Sequence, residues 1–178
     1  GTYVTAGANA ACINCAVGLY QDQVGQSDCE DCAKGTYNDQ VAQDAAADCK
    51  NCGTGKYNAQ LARTEEGACT ECVAGKFNDQ EAQTSADDCD QCAAGKSQAA
   101  AATSACKNCP EGKFNEHQGT NTACSSCPAG KYQDTEAQSA CIACLGGQYT
   151  DQAAQSSCKD TPCPAGKYTQ WALGMDTD

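Results

Sequence analysis

The sequence predicts a small disulfide-rich fold with little regular secondary structure, in which short β-hairpins follow one another as tandem repeats of an elongated rod. Two observations carry that expectation. Cysteine supplies 18 of the 178 residues, in nine pairs at 12/15, 29/32, 49/52, 69/72, 89/92, 106/109, 124/127, 141/144 and 158/163. Leu, Ile, Val and Phe together number only 13, in a chain of net charge −12. That is too little apolar surface for a conventional core, so cross-links must take its place.

The pairs set a register. Eight are C-x2-C, and only Cys158–Cys163 is wider. Three residues after each second cysteine stands a glycine, from Gly18 to Gly166 without exception, and two further on an aromatic, from Tyr20 to Tyr168, with Ser97 the single failure. A segment such as Gly130-Lys131-Tyr132-Gln133 suits a short strand. Its glycine permits positive φ or close backbone approach, and its ring can cover the neighbouring cross-link. The unit with Ser97 should then be the least well packed. The distance from a second cysteine to the next first one is 14, 15 or 17 residues. The extra residues fall late, as in Asp44–Asp48, and read as solvated surface loop. Stretches such as Asp39–Gln43 read as polar turns, and no segment supports an amphipathic helix.

The expected organisation is a partial repeat over 1–14, repeats over 15–31, 32–51, 52–71, 72–91, 92–108, 109–126, 127–143 and 144–162, and a partial repeat over 163–178. Gly1-Thr2-Tyr3 has the glycine and aromatic of a unit whose cysteines would lie upstream, so the chain reads as a window on a longer array.

C-x2-C pairs 14 to 17 residues apart also approach zinc-ribbon spacing. Nine pairs leave a remainder when grouped into four-cysteine sites, however, and the lone His117 offers no substitute ligand set. Disulfides are the expectation, with no metal or other cofactor. Two periodic connectivities fit. A ladder joins each second cysteine to the next first one: Cys15–Cys29, Cys32–Cys49, Cys52–Cys69, Cys72–Cys89, Cys92–Cys106, Cys109–Cys124, Cys127–Cys141 and Cys144–Cys158. It leaves Cys12 and Cys163 to partners outside the window. An interleaved scheme bonds pairs two by two and closes Cys158–Cys163 on itself. The ladder treats every unit alike and is preferred.

Cys127-Pro128-Ala129-Gly130-Lys131-Tyr132, with Cys141-Ile142-Ala143-Cys144 and the other copies, resembles the cysteine-rich repeats of the ephrin-receptor-like and tumour-necrosis-factor-receptor-like classes. It is also similar to long arrays in surface proteins of protists and algae, including mastigonemes. The resemblance spans the whole chain and implies a local disulfide from each loop to the next cysteine. It departs from that pattern at Ser97, at the wide Cys158–Cys163 pair, and in having proline directly after a cysteine only at Pro110, Pro128 and Pro164.

The acidic balance argues against nucleic acid, and no apolar run in this window is long enough for a membrane span. No nucleophile–base pair converges, so no catalytic residue is expected. Asp22, Asp39, Asp79, Asp134 and Asp151 recur seven residues after a second cysteine and read as solvated turn aspartates rather than a calcium site. The expected function is structural: an extracellular or cell-surface filament, stalk or coat whose partners are copies of itself or other repeats of the same parent chain. A receptor ectodomain binding a protein ligand is the alternative, with Trp171 and Met175 as the possible contact. N-linked sequons are absent, so any glycans would be O-linked on loop Ser and Thr.

Overall fold

The computed structural model describes residues 1–5 and 11–160. Among these residues there is no α-helix. Strands of two or three residues pair into antiparallel two-stranded sheets, each strand with its neighbour in sequence.

The chain divides into two compact units, one made of Gly1–Cys92 with Gln98–Cys106, the other of Ala93–Ser97 with the residues from Lys107 onward. In the first unit the hairpins are Thr2–Val4 with Cys12–Asn14, Leu19–Tyr20 with Glu30–Asp31, Thr36–Tyr37 with Lys50–Asn51, Lys56–Tyr57 with Thr70–Glu71, and Lys76–Phe77 with Asp90–Gln91. In the second they are Lys96–Ser97 with Lys107–Asn108, Lys113–Phe114 with Ser125–Ser126, and Lys131–Tyr132 with Ile142–Ala143. An antiparallel bridge joins Tyr149 to Lys159.

Each hairpin is built by the same local chemistry. In the turn of Cys32–Cys49 the amide of Thr36 donates to the carbonyl of Ala33 at 3.2 Å. Gly35 occupies the third position of that turn at φ 80°, in the left-handed region that glycine enters without steric cost. After two residues of ladder the amide of Cys52 donates to the carbonyl of Gly35 at 2.8 Å and closes the hairpin. Two-residue ladders have no stability of their own. From Leu19–Tyr20 onward each is tied by a disulfide across its loop, whereas the hairpin of Thr2–Val4 with Cys12–Asn14 forms without one.

The disulfides form the ladder: Cys15–Cys29, Cys32–Cys49, Cys52–Cys69, Cys72–Cys89, Cys92–Cys106, Cys109–Cys124, Cys127–Cys141 and Cys144–Cys158. Their Cα–Cα separations of 5.6 to 5.8 Å fall at the commonest value for unstrained bridges. Cys12 is exposed and free among the described residues, although its hairpin pairs Val4 with Cys12 in the same way. Cys163 lies outside the described residues.

The interior differs from a hydrophobic core in kind. Among the described residues, every buried residue with an apolar side chain is a half-cystine: Cys15, Cys32, Cys52, Cys69, Cys72, Cys89, Cys92, Cys109 and Cys127. The rings of Tyr20, Tyr37, Tyr57, Phe77, Phe114, Tyr132 and Tyr149 are only half-buried, so they do not form the centre. Where the ring is missing, Ser97 places its hydroxyl 3.5 Å from Cys124 Sγ in the disulfide of the following repeat, and its hairpin still forms.

Loop length has a structural counterpart. The three loops with 17-residue closure wind single 3-10 turns at Ala46–Asp48, Glu66–Ala68 and Ala86–Asp88. The Asp88 carboxylate accepts from the amides of Thr84 and Ser85 at 3.0 and 2.9 Å, and Asp48 does the same for Asp44 and Ala45. In these two loops the extra residues therefore carry their own caps and are more than solvated spacer, whereas the turn at Glu66–Ala68 has no side-chain cap.

Candidate functional site

The feature shared by every repeat is its joint with the next. The turn glycine of one repeat, buried in every case but Gly130, donates its amide to the carbonyl of the sixth residue past the second cysteine of the following repeat. These bonds run Gly18 to Asn38, Gly35 to Asn58, Gly55 to Asn78, Gly75 to Gln98, Gly95 to Asn115, Gly112 to Gln133 and Gly130 to Thr150, at 2.7 to 3.1 Å. A second bond comes back. The amides of Ala42, Ala62, Ala82, Ala102, Ala137 and Ala154 donate to the carbonyls of Cys15, Cys32, Cys52, Cys72, Cys109 and Cys127 at 2.8 to 3.0 Å. All six alanines have positive φ, between 53° and 61°, a conformation costly for a residue with a Cβ and sustained only where surroundings fix it. Here the donated hydrogen bond fixes it.

The accepting residues of the first bond, Asn38, Asn58, Asn78, Gln98, Asn115, Gln133 and Thr150, are together with Gln21 the buried polar residues among those described. An unbonded buried amide would be destabilising, and each is satisfied at both ends. The Oδ1 atoms of Asn38 and Asn58 accept from the amides of Gln40 and Gln60, both at 3.0 Å, forming Asx turns. Their Nδ2 groups reach back to the previous repeat, donating to the carbonyls of Leu19 and Thr36 at 3.0 Å.

Glutamine behaves differently. Gln21, Gln98 and Gln133 donate to the carbonyls of Asp28, Ala105 and Ala140 at 2.7 to 2.9 Å, just before the cysteine that closes their own loop. All three stand in loops with 14-residue closure, where the longer amide spans the tighter loop. Asparagine stands in the loops with 15- or 17-residue closure. Asn58→Ala removes two hydrogen bonds and strands the carbonyl of Thr36 and the amide of Gln60. The expected loss is about 2–3 kcal/mol, read from denaturant unfolding with the disulfides intact. A loss below about 0.5 kcal/mol would show that the amide is not part of the joint.

These two positions escaped the sequence reading, which treated Asp39–Gln43 as a polar turn. The signal was present in register. The sixth residue after the second cysteine is Asn, Gln or Thr in every repeat from Gln21 to Thr150, and the tenth is Ala or Gly from Gly25 to Ala154.

Electrostatics on this surface are local. Lys50 Nζ lies 2.7 Å from Asp39 Oδ1. The hydrogen bond and charge of that ammonium hold the Asp39 carboxyl below its ordinary value, and the carboxylate raises Lys50 in turn. Lys159 is raised likewise by its hydrogen bond to Asp151. The Tyr20 hydroxyl donates to Glu30 Oε2 at 2.9 Å, which raises the phenol. Of the recurring aspartates, Asp39 and Asp151 thus form ion pairs, and Asp134 accepts from the Thr135 hydroxyl at 3.1 Å. No group of three or more His, Cys, Asp or Glu side chains able to hold a metal occurs among the described residues.

One open groove of about 510 Å³ runs past Phe114 and Pro128 between Glu116 and Lys131, which are not ion-paired to each other. His117 uses its backbone rather than its ring, its amide donating to Asn115 Oδ1 and its carbonyl accepting from Thr120. Trp171 and Met175 lie outside the described residues. No helix among the described residues is long and apolar enough to cross a membrane.

Comparison with known proteins gives one finding. The family model described as tyrosine-protein kinase ephrin type A/B receptor-like matches residues 1–49 and 117–160, slightly more than half of the chain. No curated protein matches significantly.

Proposed function

The chain belongs to the ephrin-receptor-like family of cysteine-rich modules, and from that premise we propose that it is a non-catalytic structural segment of an extracellular filament, stalk or surface coat. The observation that carries this reading is the uniformity of the joints. Eight successive repeats are coupled by seven copies of the same main-chain hydrogen bond, whose strength is independent of the exposed side chains. Repetition with near-neighbour contacts suits an element that transmits length and stiffness, whereas a ligand site requires one stretch to differ from the rest.

In this reading the surroundings are oxidising, as the eight bridges require, and the partners are copies of the chain or other repeats of its parent. O-linked sugars on loop Ser and Thr are compatible with it, and intact mass measures them directly. Cys12 and Cys163 make their bonds to cysteines beyond this sequence. A receptor ectodomain is the second reading, with Trp171 and Met175 as its contact because they interrupt the small, polar repeat background. Electron microscopy of the native material separates the two. Regular polymers with a repeating subunit are expected. Discrete particles that bind a protein ligand saturably would overturn the structural reading.

A further inference from the structure

Charge is divided unequally between the two units. The first holds 15 carboxylates against five Lys and Arg, whereas the described part of the second holds six against five. The division is sharper on one surface. Successive residues of a strand face opposite ways, and directly paired residues share a face. In the second unit the first strand residues Lys96, Lys113 and Lys131 are paired with Asn108, Ser126 and Ala143. These three cross-strand pairs carry three ammonium groups and no acid, although Glu116 lines the groove beside Lys131. Lys96 and Lys113 are half-buried and Lys131 is exposed, as expected for stems that lie along the hairpin with their heads in water. None of the three makes an ion pair, while in the first unit only Asp39 and Glu66 are held by a lysine. In a chain with twice as many acids as bases, both sets have been left without counter-charges.

We propose that the lysine face of the second unit is a docking surface for the acidic first unit of another copy of this chain. This rests on the structural reading above and names the surfaces through which copies meet. Charge complementarity selects the occupant. A second copy brings 15 carboxylates on its first unit against five Lys and Arg, an acid excess that complements the unpaired lysines. At about 0.15 M salt the Debye length is roughly 8 Å, so repulsion between the two net charges is screened and the opposed faces decide. Three exposed pairs give only weak association. Such a contact becomes effective when repeated along an array.

Sedimentation equilibrium of the full chain tests this, with Cys12 alkylated and a chelator present to remove disulfide and divalent-ion bridges. Two triple variants with the same net charge are compared, each checked for its eight disulfides by non-reducing mass mapping. Lys96→Gln/Lys113→Gln/Lys131→Gln should weaken association at least about fivefold. Lys34→Gln/Lys50→Gln/Lys76→Gln, which makes the first unit still more acidic, should tighten it or leave it unchanged. About 0.5 M NaCl should suppress it in both the parent chain and the second variant. Equal weakening by both variants would show only global repulsion and overturn the proposal. So would a parent chain that stays monomeric to about 1 mM, or lysine-dependent retention on a sulfated polysaccharide column without self-association. Regular native polymers seen by microscopy alongside any of these results would leave the structural function standing and remove only this surface.

Discussion

Excess reductant will unfold the protein, and a chelator will leave it folded. Nine half-cystines are its buried apolar residues, so breaking the bridges removes the interior itself. Each bridge closes a loop of 14 to 17 residues, and loop-closure entropy assigns about 3 kcal/mol to each. The two-residue ladders and half-buried rings that remain are insufficient to hold a chain with so few large apolar side chains. Amide hydrogen exchange before and after treatment reads the outcome. Protection at the joint amides of Gly35, Ala62 and Asn58 should vanish on reduction and persist in EDTA. Protection that survives reductant but is lost to the chelator would mean that the cysteines act as metal ligands.

The second large effect is expected from a single methyl group. A Cβ at Gly35 would lie 2.1 Å from the carbonyl oxygen of Ala82 and 2.6 Å from its carbon, both backbone atoms that cannot turn aside. Ala82 is not in the next repeat but in the one after it. The same relation links Gly55 to Ala102, Gly95 to Ala137 and Gly112 to Ala154. Gly35→Ala therefore combines a left-handed backbone with a clash across two repeats, and a loss of roughly 3–5 kcal/mol is expected. Gly53→Ala is the matched control, because a Cβ there meets nothing within 4 Å. It should be neutral or stabilise by up to about 1 kcal/mol. Denaturant midpoints with the bridges intact compare the two, and hydrogen exchange should place part of the Gly35→Ala damage in the repeat closed by Cys72–Cys89. Equal midpoints would show that the close approach relaxes at little cost.

The sequence made the hairpins and the ladder legible because both are written in residue types with few uses. A cysteine pair in fixed register has one structural purpose, and a glycine three residues later marks a turn needing positive φ. The joint was less legible. Asn58 and Ala82 belong to types that ordinarily face solvent, and hydropathy assigns Asn-Asp-Gln-Glu-Ala to a surface loop. Asn58 is buried and Ala82 half-buried because cross-linked turns pack backbone against backbone, and a backbone interior is lined by amides and small side chains rather than by leucine. Position-by-position comparison of repeats, rather than hydrophobicity, was the signal that could have found them. The ring at each hairpin was legible in kind but not in degree, since Tyr37 and its equivalents are half-exposed. The division into two units through the repeat that carries Ser97 has no sequence signature beyond the missing ring.

Joints made by main-chain atoms also bear on how such a chain can change over generations. The glycine-to-carbonyl bond forms, at 2.7 to 3.1 Å, whether the loop beside it closes over 14, 15 or 17 residues. A repeat need not be matched to a particular neighbour, as it would be if interlocking side chains formed the contact. Duplication, loss or exchange of whole repeats by recombination then leaves every remaining joint intact. The number of repeats is free to drift under selection for reach, while the glycine, the buried amide and the small residue at the left-handed position must be inherited together.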